Sequence, residues 1–214
     1  MTIFTCNVKS QEENTFPVDI GADIMSRYIW RGTDYGASPN IQPFIEIGLT
    51  NFSLGFWGAY TTNSPGIQEV DLYATYTIKE LVTVTCTDYF FPDEIRGYNY
   101  YEMRKDTSAH IIEGMIRYNG NEKLPLTFMA CINIYNDPQN SVYFETGYSL
   151  SIVDFFLGAG NGIYTTDGKF NLVNIGIGAE KKLAVTDKYF LPISVSFITN
   201  PQAGRVYLVF GVSF

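Results

Sequence analysis

Arg205-Val206-Tyr207-Leu208-Val209-Phe210-Gly211-Val212-Ser213-Phe214 decides how the chain is read. As a strand, it puts Val206, Leu208, Phe210 and Val212 on one face and Arg205, Tyr207 and Ser213 on the other. The same period of two recurs upstream. Tyr189, Leu191, Ile193, Val195 and Phe197 share a face, as do Val173, Ile175 and Ile177, and Phe128, Ile132 and Ile134. Further toward the start come Val70, Leu72 and Tyr76, then Leu54, Phe56 and Tyr60, then Ile45, Ile47 and Leu49. From Pro17, the residues Val18, Ile20, Ala22, Ile24, Tyr28 and Trp30 fall on one side, with Asp19, Asp23, Arg27 and Arg31 on the other.

The first segment ends near Arg31, and eleven more follow at 41–50, 53–62, 68–78, 82–91, 108–118, 125–135, 140–150, 153–162, 170–181, 188–198 and 204–214. Each is about ten residues long, the length of strand that crosses a membrane at a steep tilt. The predicted fold is therefore all-β: a transmembrane antiparallel up-and-down β-barrel of about 12 strands, apolar outside and polar within. An even strand count puts both chain ends on one side, the periplasm in bacterial barrels. The connections at 51–52, 79–81, 119–124, 151–152 and 182–187 are then short turns. Those at 32–40, 63–67, 92–107, 136–139, 163–169 and 199–203 face outside.

Composition agrees. Nineteen glycines, 16 Tyr, 16 Phe and 2 Trp with only 17% charged residues favour strands and turns over helices. No stretch approaches the roughly 18 consecutive apolar residues of a membrane helix. A soluble β-sandwich or lipocalin-like barrel also alternates. Against it, Lys is scarce, and Tyr28, Trp30, Tyr60, Tyr118, Tyr148 and Tyr189 sit toward strand ends, as interfacial girdles do. A net charge of −8, from 14 Lys and Arg against 22 Asp and Glu, speaks against nucleic-acid binding. Cys6, Cys86 and Cys131 match neither a zinc site nor a disulfide framework. Residues 1–16 read as a signal-peptide remnant or flexible tail, with Val8 and Ser10 at small-residue cleavage positions, and 17–214 as the barrel.

Two stretches carry a resemblance. Ser26-Arg27-Tyr28-Ile29-Trp30-Arg31-Gly32 is similar to the first-strand motif of the TorF-type outer-membrane porin family, and Asp88-Tyr89-Phe90-Phe91-Pro92-Asp93 is a second, weaker point of similarity. A last strand ending in Phe214 resembles the signal read by the outer-membrane barrel-assembly machinery. The resemblance implies a barrel in the outer membrane of a Gram-negative bacterium, in contact with its lipids.

In this register the lumen holds Asp19, Asp23, Glu46, Glu69, Asp71, Glu113, Glu145, Asp154 and Glu180 against Arg27, Arg31, Arg117 and Arg205, with Trp57, Tyr73 and Tyr207 also pointing inward. An acidic lining predicts a pore for passive diffusion of small solutes or ions, favouring cations. The opposing reading is an ion-pair network that fills the interior of a non-conducting scaffold or accessory barrel. Arg27 is expected to pair with Glu46 across the 32–40 loop. The 92–107 loop, with Arg96, Tyr98, Tyr100, Tyr101, Arg104 and Lys105, is either a constriction at the mouth or a solvated connection. Asp88 falls awkwardly on the lipid face unless it lies above the apolar band or a bulge flips it. Ser108 and His110 share a face, but a lipid hydrolase built on them lacks a visible acid on that face. No cofactor or metal motif appears, and no enzyme is predicted.

Overall fold

A computed structural model describes residues 17–63, 66–92 and 99–214. The expected leader segment 1–16, with Cys6, and the loop residues Arg96 and Tyr98 lie outside the described residues. Among the described residues there is no helix. The strands are β1 (Val18–Met25), β2 (Ile29–Trp30), β3 (Thr33–Asp34), β4 (Asn40–Leu49), β5 (Phe52–Thr61), β6 (Gln68–Ile78) and β7 (Val82–Phe90), followed by β8 (His110–Tyr118), β9 (Leu126–Tyr135), β10 (Val142–Leu150), β11 (Val153–Gly162), β12 (Gly168–Ala184), β13 (Phe190–Asn200) and β14 (Arg205–Ser213).

All except β2 and β3 form one closed antiparallel barrel of 12 strands, each paired with its sequence neighbour. Closure joins β1 to β14 through Asp23↔Ser213, Ile24↔Val212 and Met25↔Gly211. Two further bonds between Ala22 and Phe214 extend it. The period-two pattern produces the predicted sidedness. Ile45, Leu54, Phe56, Tyr76, Phe128, Ile132, Ile177, Val195, Phe197, Leu208 and Phe210 are exposed on the outer wall. Trp57, Glu69, Asp71, Tyr89, Glu113, Cys131 and Tyr143 are buried inside it.

Three expectations about the first segment are corrected. β1 stops at Met25, not near Arg31, because the chain then leaves the wall and turns inward. Tyr28 and Trp30, placed in the outer girdle by the sequence pattern, are each only 4% exposed. They pack against wall residues that point inward: Tyr28 against Trp57 at 5.5 Å and Trp30 against Tyr89 at 5.3 Å between ring centroids. Arg27 meets Asp34 at 2.7 Å in place of Glu46. Glu46 pairs in register with Asp19, at the far end of β1.

Val173 is the fourth correction: predicted on the lipid face, it is fully buried. The register between β11 and β12 slips from Gly158↔Asn174 to Ala159↔Leu172, leaving Val173 as an unmatched residue. A bulge of this kind interrupts the ladder locally and re-aims a side chain, and a second register shift follows between Gly160 and Gly162.

The inserted segment is a two-stranded hairpin, β2–β3, registered Ile29↔Asp34 and Trp30↔Thr33. Its two turn residues, Arg31 (φ 51) and Gly32 (φ 79), are both left-handed. That is the backbone of a type I′ turn, whose twist suits a tight hairpin and which accepts Gly readily. Gly32 is also held by contact. A Cβ there would lie 1.9 Å from the Val173 carbonyl oxygen, and the Gly32 carbonyl accepts from Asn200 Nδ2 at 3.1 Å. Gly32→Ala therefore combines positive-φ strain with a backbone clash. It is expected to lower unfolding stability by about 2 kcal/mol or more, read as a drop in the urea midpoint of the folded, heat-modifiable band on gels.

Candidate functional site: a hairpin seated in the barrel interior

Twelve strands enclose more space than wall side chains fill, since about eight is the number at which they just suffice. The hairpin occupies part of that space. Its base is tied to β14, where Ser26 N donates to the Phe210 carbonyl at 2.8 Å and Phe210 N donates to Ser26 Oγ at 2.9 Å. Its shape is held by the Arg27–Asp34 pair and by Tyr35 N donating to the Tyr28 carbonyl at 2.8 Å. Its tip reaches the β12–β13 wall through Gly32.

Arg31 is the centre of the arrangement. Its guanidinium donates to both carboxylate oxygens of Glu113 on β8, from Nη1 at 2.5 Å and Nη2 at 2.9 Å. Nη1 also reaches the Tyr164 hydroxyl at 2.5 Å, and Nη2 reaches Cys131 Sγ on β9 at 3.0 Å. The cation lies over the rings of Trp30 at 4.5 Å and Tyr143 at 4.6 Å. Glu113 in turn accepts from the hydroxyls of Tyr89 and Tyr164, both at 3.1 Å. Four donors thus saturate one carboxylate, as a buried charge requires.

The predicted lining residues divide into groups. Glu69, Asp71, Trp57 and Glu113 face inward but are buried around the hairpin at the end of the barrel where the longer loops lie. Arg31 lies in the same region as part of the hairpin, not of the wall. Glu145 accepts from the Tyr143 hydroxyl at 2.5 Å and from Asn174 Nδ2 at 3.0 Å. Asp19, Glu46, Arg117 and Glu180 sit toward the end with the short turns and keep solvent exposure, as do Asp23, Tyr73, Arg205 and Tyr207 elsewhere on the inner face. Glu69 Oε2 and Asp71 Oδ1 are buried without a hydrogen-bond partner among the described residues. Within the same residues, no group of three or more His, Cys, Asp or Glu side chains is placed to hold a metal.

Sequence reasoning missed Cys131, Tyr143, Tyr164, Asn174 and Asn200 as partners of the inserted segment. A signal for the insertion was present: Trp30-Arg31-Gly32-Thr33 is a two-residue hairpin with Gly at its second turn position.

The loop at 92–107 does not enter the mouth through its described part. Residues 99–107 lean outward, where Tyr135 on β9 donates to the Met103 carbonyl. Asp88 faces outward as the pattern implies, and it has a partner: His110 Nδ1 lies 2.8 Å from Oδ1. The acid missing from the hydrolase reading is therefore present. Ser108 Oγ, however, meets the His110 backbone N at 3.4 Å, while the ring Nε2 is engaged by the Tyr100 carbonyl at 2.8 Å. Among the described residues no base is aimed at the serine, and the Ser108–His110 geometry is not a nucleophile–base pair.

A family model described as "Bacterial protein of unknown function (Gcw_chp)" matches residues 9–200. The chain belongs to that family. The match takes in the hairpin and its partners from Tyr89 to Asn200, and stops short of Phe210 on β14. No curated protein matches the Gcw_chp chain. Similar solved structures include a mutant of the Rh. blastica porin, at TM-score 0.43 and 12% identity over 82% of this chain and 55% of the porin. A Rhodopseudomonas blastica porin triple mutant aligns at TM-score 0.42 with 12% identity and the same coverage, 82% and 55%. The Gcw_chp chain spans about half the length of these porins.

Two predictions follow from the site geometry. Glu113→Ala leaves the Arg31 guanidinium buried and unpaired, and is expected to cost about 3–5 kcal/mol. Arg31→Met with Glu113→Gln is expected to cost less than the sum of the single changes in urea unfolding, since the pair acts as a unit. The second concerns Asp137, in the β9–β10 connection. Burial alone would raise its carboxyl, but hydrogen bonds from Ser141, Asn133 and Gln139 hold it below the ordinary carboxylate range. A depressed acid stabilises the fold above its unfolded value and stops doing so as pH falls through the folded one. Amide protection over 136–141 should fall on acidification below about pH 4, and Asp137→Asn should flatten that response in hydrogen exchange.

Proposed function

We propose that the protein is a non-enzymatic porin-like channel in the outer membrane of a Gram-negative bacterium, passing small solutes or ions by diffusion and favouring cations. The observation that carries this reading is the sidedness of the closed barrel: exposed aliphatic and aromatic side chains outside, ionisable and amide side chains enclosed. A wall of that polarity suits hydrocarbon on one side and water on the other. The acidic balance of Asp19, Glu46, Asp154 and Glu180 against Arg117 supports the cation preference. Its outer face would contact outer-membrane lipids, and the β14 strand would present itself to the barrel-assembly machinery. The likeness to TorF-type porins fits the same reading.

On this reading the hairpin is a constriction, and the wild-type barrel should conduct weakly. In planar bilayers, refolded protein should give small, cation-favouring steps. Replacing residues 28–35 by a Gly-Ser linker should raise conductance several-fold, and Asp19→Asn with Glu46→Gln should reduce the cation preference. Silence from both the folded wild type and the linker variant would instead favour the second reading, a non-conducting scaffold, to which the packed interior around Arg31 lends support.

A further inference from the structure

His110 is the single histidine of the chain, and the channel reading makes no use of it. It opens β8 opposite Phe90 on β7, two residues from Asp88. Tyr89, between them, points inward against Trp30, so Asp88, Phe90 and His110 belong to the outer face. Yet His110 is fully buried. What covers it is the described part of the β7–β8 connection. The Tyr100 ring packs 5.0 Å from the imidazole and 5.2 Å from Phe90.

Both ring nitrogens are engaged. Nδ1 lies 2.8 and 3.0 Å from the two oxygens of Asp88, and Nε2 lies 2.8 Å from the Tyr100 carbonyl. A peptide carbonyl only accepts, so Nε2 must carry a proton. The contact between Nδ1 and the carboxylate needs a second proton, whichever of the two atoms holds it. The arrangement is satisfied by two protons and not by one. With a single proton left, either a nitrogen lone pair faces the carbonyl or one faces the carboxylate.

We propose that Asp88, His110 and the Tyr100 carbonyl form a proton-operated clasp that fastens residues 99–109 to the outer wall of the barrel, closed with two shared protons and opened by loss of one to solvent. The side chain of Asp88 is 19% exposed, which gives the proton a route. From β7, Asp88 faces the ring, with Asp71 the next carboxylate through the wall on β6. From the covering segment come the Tyr100 phenol and, beyond it, Tyr101, while Glu102 and Arg104 pair with each other at 3.2 Å on the exposed side. From the end of β9 the Tyr135 phenol binds the Met103 carbonyl, and just beyond it the neutral Asn136 amide donates to the Ser108 and His110 carbonyls. These contacts from Tyr135 and Asn136 hold the base of the segment in either state, so opening is confined to the part around Tyr100. The sign is fixed by the proton count: closed in acid, open as pH rises.

Because there is one histidine, the test is direct. Full-length protein refolded in micelles is labelled with ¹⁵N-histidine, and both ring nitrogens are followed from about pH 5 to about pH 9, the interval in which imidazoles commonly titrate. Amide protection factors over 99–109 are measured on the same samples. The expected result is two protons on the unit in acid, loss of one on raising pH, and a fall in protection around Tyr100 of about tenfold or more over the same interval, as for loss of one charge-assisted hydrogen bond. His110→Gln, which can serve only one of the two partners, should show low protection at every pH. Protection that ignores the proton loss, or a ring that keeps both protons throughout, overturns the proposal. The wild-type titration alone decides the matter if His110→Gln fails to fold.

Discussion

The interior of this barrel depends on one ion pair. Removing a guanidinium and a carboxylate from water costs several kcal/mol for each ion, and their attraction offsets this only when the remaining donors and acceptors are also satisfied. Around Arg31 and Glu113 that condition is nearly met: two guanidinium nitrogens and two tyrosine hydroxyls converge on one carboxylate, and aromatic faces line the cation. Of the polar atoms of this pair, Arg31 Nε alone lacks a partner among the described residues. The pair links the hairpin to β8, and Tyr89, Cys131, Tyr143 and Tyr164 spread that link over neighbouring strands. Contacts at Ser26 and Gly32 also position the hairpin, and the bidentate pair adds a directional link that an apolar side chain at position 31 would lack. The bidentate pair gives the hairpin one seat, which is also why a left-handed Arg31 is tolerated at the turn.

The wall was legible in the sequence and its contents were not. Period two is a local property, so Ile45, Phe56, Phe128 and Val195 could each be assigned a face from a few neighbours. Closure and strand number followed from counting such segments. Tyr28 and Trp30 continue the alternation of β1 without a break, yet they belong to a different object. Nothing in a two-residue period tells whether a large aromatic faces hydrocarbon or an aromatic-lined lumen, because both bury it. The turn at Arg31-Gly32 was the available discriminator, and periodicity outweighed it. Val173 failed for a related reason: a single extra residue in β12 reverses the face of one position, and only the register against β11 reveals it. The Arg27–Glu46 pairing assumed that β1 ran on to Arg31. Once the chain turns inward at Ser26, Arg27 is carried away from Glu46 and toward Asp34. Asp88 does face outward, with no bulge to flip it, and its partner could not be read from period two because His110 lies on the next strand.

The two ends of the interior are built from different materials. At the loop end, long side chains from the wall meet the hairpin: Trp57, Tyr89, Tyr143 and Glu113. At the turn end the facing strands β6 and β7 offer small hydroxyls, with Thr75 and Thr85 at 3.1 Å and Thr77 and Thr83 at 3.1 Å bonding across the ladder. Side chains of that length cannot fill a ring of twelve strands, whereas the hairpin can. On the channel reading the conduit is therefore asymmetric, a vestibule with acidic groups leading to a constriction beside the hairpin. Charge and width then act in different places. On the proposed reading, Asp19, Glu46 and Glu180 would raise the local concentration of cations before the narrow part is reached, while the seat of Arg31 would determine how narrow that part is. A substitution in the vestibule should thus alter which ions arrive, and one in the hairpin should alter how many pass, because the vestibule residues lie on wall strands at the turn end while the hairpin is seated at the loop end.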